Sequence, residues 1–256
     1  MIKVLGICGS PRRFANSEFL LEQALDGAKE AAPSEVDVEL YLIKGKKYAP
    51  CVSCFKCVQL GGECTRKDDF QELRDKWLKA DAIIYSIPVY HMSIPGQLKC
   101  FIDRLGNSQF SGNGFTMPHH LKVIAAIAQG GTLFSGQEHA ITDLINHAFT
   151  MGCIPAGGDR EFNHFGAAGW SYGQIERDAL KSGYERGEST ALVAVKGARS
   201  TGRRAVELAL VLTAGIKERM EIIGRQAAYK PTVTRLSDRI SFAEEAALAS
   251  DDTASG

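Results

Sequence analysis

The sequence predicts a doubly wound α/β fold, in which helices cover both faces of a five-stranded parallel sheet. Short apolar runs of strand length alternate along the chain with segments of helical periodicity, which is typical of this class. Most of the runs are continuously apolar, as expected for parallel strands buried on both faces. With 256 residues, 45% of them apolar, the chain can bury two such layers.

The strands are predicted where apolar runs stop at turn-forming residues. The first run ends at Gly9-Ser10-Pro11, the third ends at Pro88, and the second alternates apolar and polar positions. The predicted strands are residues 2–8, 36–42, 82–87, 121–128, and a fifth near 153–154 or 161–164.

The helices are predicted where apolar residues recur every three or four positions. These segments are residues 16–29, the stretch carrying Leu73, Trp77 and Leu78, and residues 96–105, 135–151 and 202–225. We expect Asp68 and Asp69 to cap the second helix.

The remaining segments give weaker patterns, and they set the expected domain limits. Residues 166–197 are expected to form an excursion with one short helix, inside a main domain of residues 1–230. The polar residues 231–256 are expected to be a tail that is mobile or contacts another subunit.

Charge and composition exclude several classes of partner. The chain has 30 basic and 30 acidic residues, so no net field favours nucleic acid or an anionic membrane. No apolar stretch reaches the length of a bilayer span, and no signal segment is visible at the start. We expect a cytoplasmic protein with reduced thiols, and small molecules or proteins as partners.

Four of the seven cysteines form one compact run. Cys51, Cys54 and Cys57 are spaced C-x2-C-x2-C, and the turn at Gly61-Gly62 can bring Cys64 back toward them. This loop, residues 48–67, could hold a [4Fe–4S] cluster or a zinc ion, or it could be an empty, oxidised or redox-active loop. Cys8, Cys100 and Cys153 stand alone in apolar surroundings and are expected to be structural thiols.

The loop after the first strand has the residue types of a phosphate site. Ser10, Arg12, Asn16 and Ser17 lie where a strand leads into a helix, and helix starts bind anions through free backbone N–H groups. Neither a G-x-G-x-x-G nor a Walker pattern is present, so classical dinucleotide and P-loop folds are disfavoured.

The next strand ends have features that suit a flat ring. Pro88, Val89 and Tyr90 form a stiff aromatic-bearing surface, with His91 beside it. Gln129, Gly130 and Gly131 offer backbone that a ligand can approach closely. A phosphate site, a ring surface and open backbone at one sheet edge together favour flavin mononucleotide, FMN. FMN would carry the chemistry itself, so no catalytic residue is assigned outright, and Tyr90 and His91 are the candidates for such a role.

These motifs carry a family resemblance over roughly residues 1–155. The chain resembles the NADPH-dependent FMN reductase branch of the flavodoxin-like superfamily, and within it the iron–sulfur flavoproteins. The matching residues are Gly9-Ser10-Pro11-Arg12 with Asn16-Ser17, the four clustered cysteines with Asp68-Asp69, Pro88-Val89-Tyr90, Gly96, Lys99 and Phe101-Ile102-Asp103-Arg104.

The resemblance implies a flavin-dependent oxidoreductase with an assembly that places a cluster near a neighbour's flavin. Electrons would pass from a ferredoxin-type donor through the [4Fe–4S] cluster and FMN to a quinone, an oxygen species or a xenobiotic. A homodimer or homotetramer is expected. Two alternatives remain, an NAD(P)H-dependent FMN or quinone reductase without a cluster, and a non-catalytic flavodoxin-like carrier or redox sensor.

Overall fold

One parallel sheet organises the part of the chain that the structure, a computed structural model, describes, which is residues 1–239. Its strands run in the order β2-β1-β3-β4-β5, and a sixth strand, β6, also pairs with β4. The strands are β1 (Ile2–Cys8), β2 (Val36–Leu42), β3 (Ala82–Pro88), β4 (Val123–Gly130), β5 (Ile154–Ala156) and β6 (Ala167–Trp170). The predicted doubly wound flavodoxin-like sheet is confirmed, with one strand more than expected.

The additional strand arises because β4 has two partners along one edge. Residues 123–125 pair with β5, and residues 127–130 pair with β6, both in parallel. The expected excursion of residues 166–197 therefore begins with a strand, whereas the alternative strand at 161–164 does not form. Small residues give β6 no apolar run, and an added Cβ at Gly166 would lie 2.7 Å from the Ala126 carbonyl oxygen. Pairing with β4 defines this strand.

Helices cover both faces of the sheet. Within residues 1–239, seven of them precede a last helix at residues 230–239. The first seven are α1 (Asn16–Ala31), α2 (Phe70–Lys79), α3 (Gly96–Gly112), α4 (Gln137–Thr150), α5 (Ala179–Glu185), α6 (Ser189–Glu218) and α7 (Met220–Gly224). One core contains Trp77, Phe101 and Leu144 from α2, α3 and α4. The other contains Leu20 and Val195 from α1 and α6. The predicted covering of both faces is confirmed.

The longest helix begins earlier than expected, at Ser189 instead of residue 202. Serine, threonine and glycine interrupt its apolar pattern, because α6 approaches α1 too closely for larger side chains. Gly202 and Gly27 make this approach, with the backbone of each next to that of the opposite helix. The sequence alone gives no reason to continue a helix through these residues.

Residues 231–239 correct another expectation, since they do not form a tail. They belong to a helix over residues 230–239, in which Thr232 and Leu236 are fully buried. Arg235 donates to the carbonyl oxygens of His120 and Leu121, and it also pairs with Asp81. Because polar side chains hold this helix in place, a hydrophobicity pattern does not predict its packing. The rest of the expected tail, residues 240–256, lies outside the described residues.

The expected cap of α2 is corrected in detail. The backbone N–H of Phe70 donates to Asp68 Oδ1 at 3.1 Å, while the Asp69 carboxylate accepts the N–H of Lys47. Asp68 therefore contacts the start of the helix and Asp69 ties down the preceding loop. Among residues 1–239, no helix combines the length and apolar content needed to cross a bilayer.

Candidate functional site

The predicted phosphate loop lies between β1 and α1, at the carboxyl edge of the sheet. The N–H of Arg12 donates to Ser10 Oγ at 3.1 Å, and Ser10 and Ser17 are both buried. Within residues 1–239 the exposed Arg12 side chain makes no ion pair, which leaves its guanidinium available to an anion. Free backbone donors and a nearby guanidinium fit the phosphate of FMN.

Two further contacts in this loop were not foreseen from the sequence. The buried Glu18 carboxylate accepts the N–H of Phe14 at 2.6 Å, and Phe14 has a positive φ of 54°. Asn16 Oδ1 accepts the N–H of Leu180 at 3.0 Å and so joins the loop to the start of α5. Only the amide nitrogen of Asn16 remains for a ligand. Asn16 can therefore contribute only its amide N–H groups to the predicted phosphate site, because a residue 164 positions away in sequence uses its oxygen.

The predicted ring surface lies in the next two strand-end loops. Tyr90 and Ser93 exchange backbone hydrogen bonds of 2.9 and 3.0 Å across a tight turn. The two residues inside the turn, His91 and Met92, have φ values of 47° and 65°, which are strained for side chains with a Cβ. The turn exposes Tyr90 and His91 while Pro88 stays buried.

The glycine-rich loop after β4 packs directly against that turn. A Cβ at Gly136, whose φ is 97°, would lie 2.6 Å from Met92 Cα. Gly130 is equally confined, because an added Cβ would lie 1.9 Å from Ser135 Oγ, whereas Gly131 faces open space. Gln129 is buried at the end of β4, and its amide donates to the Gly130 carbonyl oxygen. The structure therefore brings both predicted ring-binding segments together.

The segment after β6 completes the rim of this edge. The N–H of Ser171 donates to the Gly130 carbonyl oxygen, and that of Gly173 donates to Gly131 at 2.7 Å. Tyr172 and Phe134 are 59% and 90% exposed. Large apolar rings that are exposed to solvent often mark a surface that a ligand or partner covers. The rim thus offers aromatic surface beside open glycine backbone, which fits an isoalloxazine ring.

The four clustered cysteines line a single cavity in the loop between β2 and α2. All four thiols are free, Cys54 is exposed, and the other three are partly buried. One wall of this cavity is α3, from which Arg104, Asn107, Ser108 and Ser111 contribute. We call the four cysteines and the cavity they line the cysteine site. Its donor set suits a [4Fe–4S] cluster or zinc.

The thiols share the cavity without converging on one point. Among residues 1–239, no group of three or more histidine, cysteine, aspartate or glutamate side chains is placed so that it could hold a metal ion. The loop has a strained backbone, with φ values of 49° at Ser53 and 54° at Phe55. Common ligation of one metal centre would require the four thiols to move closer together.

A buried ion pair closes the base of the cysteine loop. Arg104 is 2% exposed and donates to both carboxylate oxygens of Asp68, at 2.6 and 2.8 Å. It also donates to the carbonyl oxygens of Ala49 and Arg66, one on each side of the cysteines. Sequence reasoning gave Arg104 no role, because its partners become neighbours only after folding. One signal in the sequence could have indicated this role. Polar residues recur at helical spacing on a core helix, at positions 104, 107, 108 and 111.

The same contacts perturb the titration of Asp68. Burial alone would raise the pKa of its carboxyl group, but the hydrogen bonds from Arg104, Ala49 and Phe70 outweigh burial and lower it. By contrast, burial raises the pKa of the isolated thiols, to about 12 for Cys8 and about 11 for Cys153. These two cysteines are buried, in agreement with a structural role.

The cysteine loop leaves the carboxyl edge of the sheet and runs along α3. Gln97, in the first turn of α3, donates to the Lys46 carbonyl oxygen, whereas Asn107 contacts Cys51 and Cys57. Ten residues of helix correspond to about 15 Å. At the far end, a Cβ on Gly112 would lie 2.3 Å from Gly62 Cα. The cysteine site thus lies well down α3 from the predicted ring surface.

The fold is flavodoxin-like, and the loops at its strand ends have features that fit FMN. These two observations define the class of the protein. The family model described as NADPH-dependent FMN reductase matches residues 2–164. The chain belongs to this family, and it is a flavin-dependent oxidoreductase of the FMN reductase and iron–sulfur flavoprotein type.

Similar proteins agree on this type. The chain is 34% identical to an iron–sulfur flavoprotein of Archaeoglobus fulgidus over 173 residues, covering 68% of this chain and 85% of the relative. It is 33% identical to an iron–sulfur flavoprotein of Methanosarcina thermophila, covering 66% and 83%. Among solved structures, RosB with a bound riboflavin-phosphate intermediate superposes with a TM-score of 0.62 at 15% identity, covering 96% of this chain and 87% of RosB. That last likeness concerns the fold.

Proposed function

We propose that this oxidoreductase passes electrons through a [4Fe–4S] cluster and FMN to a small acceptor such as a quinone, an oxygen species or a xenobiotic. Cys51, Cys54, Cys57 and Cys64 would hold the cluster. FMN, when bound, exchanges electrons in ones or twos and so links a one-electron donor to such an acceptor. The observation that carries the proposal is that all four cysteines line one cavity, in a chain whose relatives are named iron–sulfur flavoproteins.

For FMN itself, each strand-end loop is assigned one part of the cofactor. Ser10, Arg12, Ser17 and the amide nitrogen of Asn16 would hold the phosphate at the start of α1. Pro88, Val89 and Tyr90, together with Gln129, Gly130 and Gly131 from the neighbouring strand end, would hold the ring. His91 is exposed in a strained turn beside Tyr90, where a substrate could meet it. The chain's residues thus bind, orient and shield the ring, and no acid–base dyad is required.

The separation of the two sites supports an assembly. Because Asn107, beside the cysteine site, lies about 15 Å of helix beyond Gln97 in the first turn of α3, a second copy offers a route for placing the site near a flavin. Exposed apolar side chains border both sites, Phe55 and Val52 at the cysteine loop and Phe134 at the flavin edge. A homodimer or homotetramer would cover them, and a ferredoxin-type donor would then reach the outer side of the cysteine loop.

Anaerobic purification tests the cluster. We expect brown protein with about four iron and four sulfide per chain, and a visible absorbance that dithionite bleaches. Cys54→Ser should abolish the iron-dependent absorbance and leave FMN bound, whereas Cys100→Ser, on the core side of α3, should keep both. A wild-type protein that contains only zinc, or no metal after anaerobic reconstitution with iron and sulfide, contradicts the proposal.

A second candidate is an NAD(P)H-dependent FMN or quinone reductase whose cysteines hold no cluster. It is favoured by the match to the NADPH-dependent FMN reductase family and by thiols that do not converge in residues 1–239. Stopped-flow mixing with NADPH separates the two. Rapid bleaching of the flavin by NADPH supports the second candidate, and a requirement for reduced ferredoxin supports the first.

Removal of the Arg12 guanidinium should weaken FMN binding through the phosphate. We expect Arg12→Ala to raise the Kd for FMN about tenfold to a hundredfold, the usual value of a charged hydrogen bond. Flavin fluorescence, followed during titration of the flavin-free protein, measures this Kd. The matched control is Arg13→Ala, because the Arg13 guanidinium lies 4.9 Å from the centre of the Phe14 ring.

Riboflavin, which lacks the phosphate, provides the second control. Its Kd should be the same for wild type and Arg12→Ala. If Arg12→Ala weakens the binding of riboflavin as much as the binding of FMN, Arg12 does not contact the phosphate.

A further inference from the structure

One face of α3 carries hydrogen-bond donors that the protein leaves without acceptors beside the cysteine site. Arg104 Nε and Ser111 Oγ are buried and have no hydrogen-bond partner among residues 1–239. Both residues line the cavity of the four cysteines. A buried donor without an acceptor is costly and rare in native proteins, so two of them at one cavity require an explanation.

A third donor on the same face already points at sulfur. Asn107 Nδ2 donates to Cys51 Sγ at 3.5 Å, and the Cys57 thiol lies 4.0 Å from the Asn107 carbonyl oxygen. Positions 104, 107 and 111 are three and four residues apart, so they lie in one row along the helix. The row therefore presents a guanidinium, an amide and a hydroxyl to the same group of thiols.

The guanidinium on this face also reaches one of the four cysteines. Arg104 is 2% exposed, and its guanidinium interacts with both Asp68 and Cys64. A thiolate accepts hydrogen bonds far better than a thiol does, and metal ligation requires the thiolate. Sulfur atoms that carry negative charge would therefore be the strongest acceptors for the donors on α3.

We propose that the α3 row of Arg104, Asn107 and Ser111 donates hydrogen bonds to the sulfur atoms of the cysteine site. These hydrogen bonds would set the affinity of the site for metal and the reduction potential of a bound cluster. The inference rests on the proposed function where it concerns the cluster. Hydrogen bonds to cluster sulfur stabilise the reduced, more negative form and raise the reduction potential. These three are positioning residues, since the cysteines remain the ligands.

The chain offers a matched pair of serines for the test. Ser108 and Ser111 are both buried in α3 and both face the cavity, but the Ser108 hydroxyl already donates to the Leu105 carbonyl oxygen at 3.0 Å. Ser111→Ala removes a donor that lacks an acceptor in the protein, whereas Ser108→Ala removes one that is already used. Both variants lose the same atom from the same helix. Asn107→Leu is the second test variant, should Ser111→Ala not fold.

The full-length protein, purified without oxygen, is titrated with dithionite while the cluster is followed by electron resonance. We expect a more negative midpoint potential for Ser111→Ala and Asn107→Leu, and the wild-type potential for Ser108→Ala. The second measurement replaces iron by Co²⁺ alone and follows its thiolate absorption bands. Ser111→Ala should raise the Kd for Co²⁺ about tenfold, as loss of a partner of a metal ligand does.

The two measurements separate this inference from the proposed function. If iron is present and Ser111→Ala matches Ser108→Ala in potential and in Co²⁺ affinity, the donor row is wrong and the cluster stands. If wild type holds no iron cluster but Co²⁺ binding depends on Ser111, the cluster is wrong and the donor row stands. If the protein binds neither an iron cluster nor Co²⁺, the proposed function and the donor row are both wrong.

Discussion

Replacing Arg104 with methionine is expected to lower the free energy of unfolding by about 3 kcal/mol and to open the cysteine loop. The substitution keeps most of the side-chain volume but leaves the Asp68 carboxylate, 14% exposed, without its cation. Removing one partner of a buried pair typically costs 3–5 kcal/mol, because the other charge stays desolvated. The Ala49 and Arg66 carbonyl oxygens lose their shared donor as well.

Two measurements check this expectation. Urea denaturation gives the loss of stability, and limited trypsin digestion reports opening of the loop, since Lys56, Arg66 and Lys67 lie within or just after the cysteine run. The matched control is Arg203→Met, whose ion pair with Asp159 is exposed (side chains 40% and 34%) and should contribute less than about 1 kcal/mol. Equal losses for the two variants, or an Arg104→Met loop as resistant to trypsin as wild type, would contradict the role given to Arg104.

The pH dependence of stability gives an independent check on the same pair. The pKa of Asp68 is lowered in the folded protein, so its ion pair stabilises the fold at pH values above the unfolded pKa of about 4. This stabilisation should fade as the pH falls below about 4, toward the folded pKa. Arg104→Met should lose that part of the pH dependence, which comparison of denaturation midpoints from pH 7 to pH 3 would reveal.

Replacing Gly202 with alanine should destabilise the packing of α1 on α6 by about 3 kcal/mol. The added Cβ would lie 1.8 Å from the Ala24 carbonyl oxygen, a backbone atom that cannot rotate away. The two helices would have to move apart, and small-to-large changes in tight packing cost about 1–3 kcal/mol or more. Gly27, whose Cβ would lie 2.2 Å from the Arg199 carbonyl oxygen, makes the same kind of contact from α1.

Gly215 on the same helix provides the opposite outcome. It is exposed within α6, and an added Cβ meets nothing within 4 Å. Gly215→Ala should therefore stabilise the protein by about 0.5–1 kcal/mol, because alanine loses less backbone entropy in a helix than glycine does. Thermal or urea unfolding of both variants measures the difference. A Gly202→Ala variant as stable as Gly215→Ala would mean that α1 and α6 do not approach each other as described.

Much of the fold was predictable because its signals are local. Strands β1 and β3 appear almost residue for residue where apolar runs end at glycine or proline, and β2 appears where apolar and polar positions alternate. Helix α1 follows its three- and four-residue repeat. Elements fixed by distant partners were missed. Strand β6 depends on pairing with β4, the start of α6 on close contact with α1, and residues 231–239 on polar anchors such as Asp81.

The candidate site divides in the same way. Its chemical character was predictable from neighbouring positions in the chain: four cysteines in one run, a serine and arginine loop before a helix, and glycines after β4. Folding was needed to bring Arg104 to the cysteine loop, to join Asn16 to Leu180, and to place donors of α3 that lack acceptors in the cavity of the thiols. Hydrogen bonds and ion pairs between residues far apart in sequence depend on three-dimensional distance, for which residue order carries no direct signal.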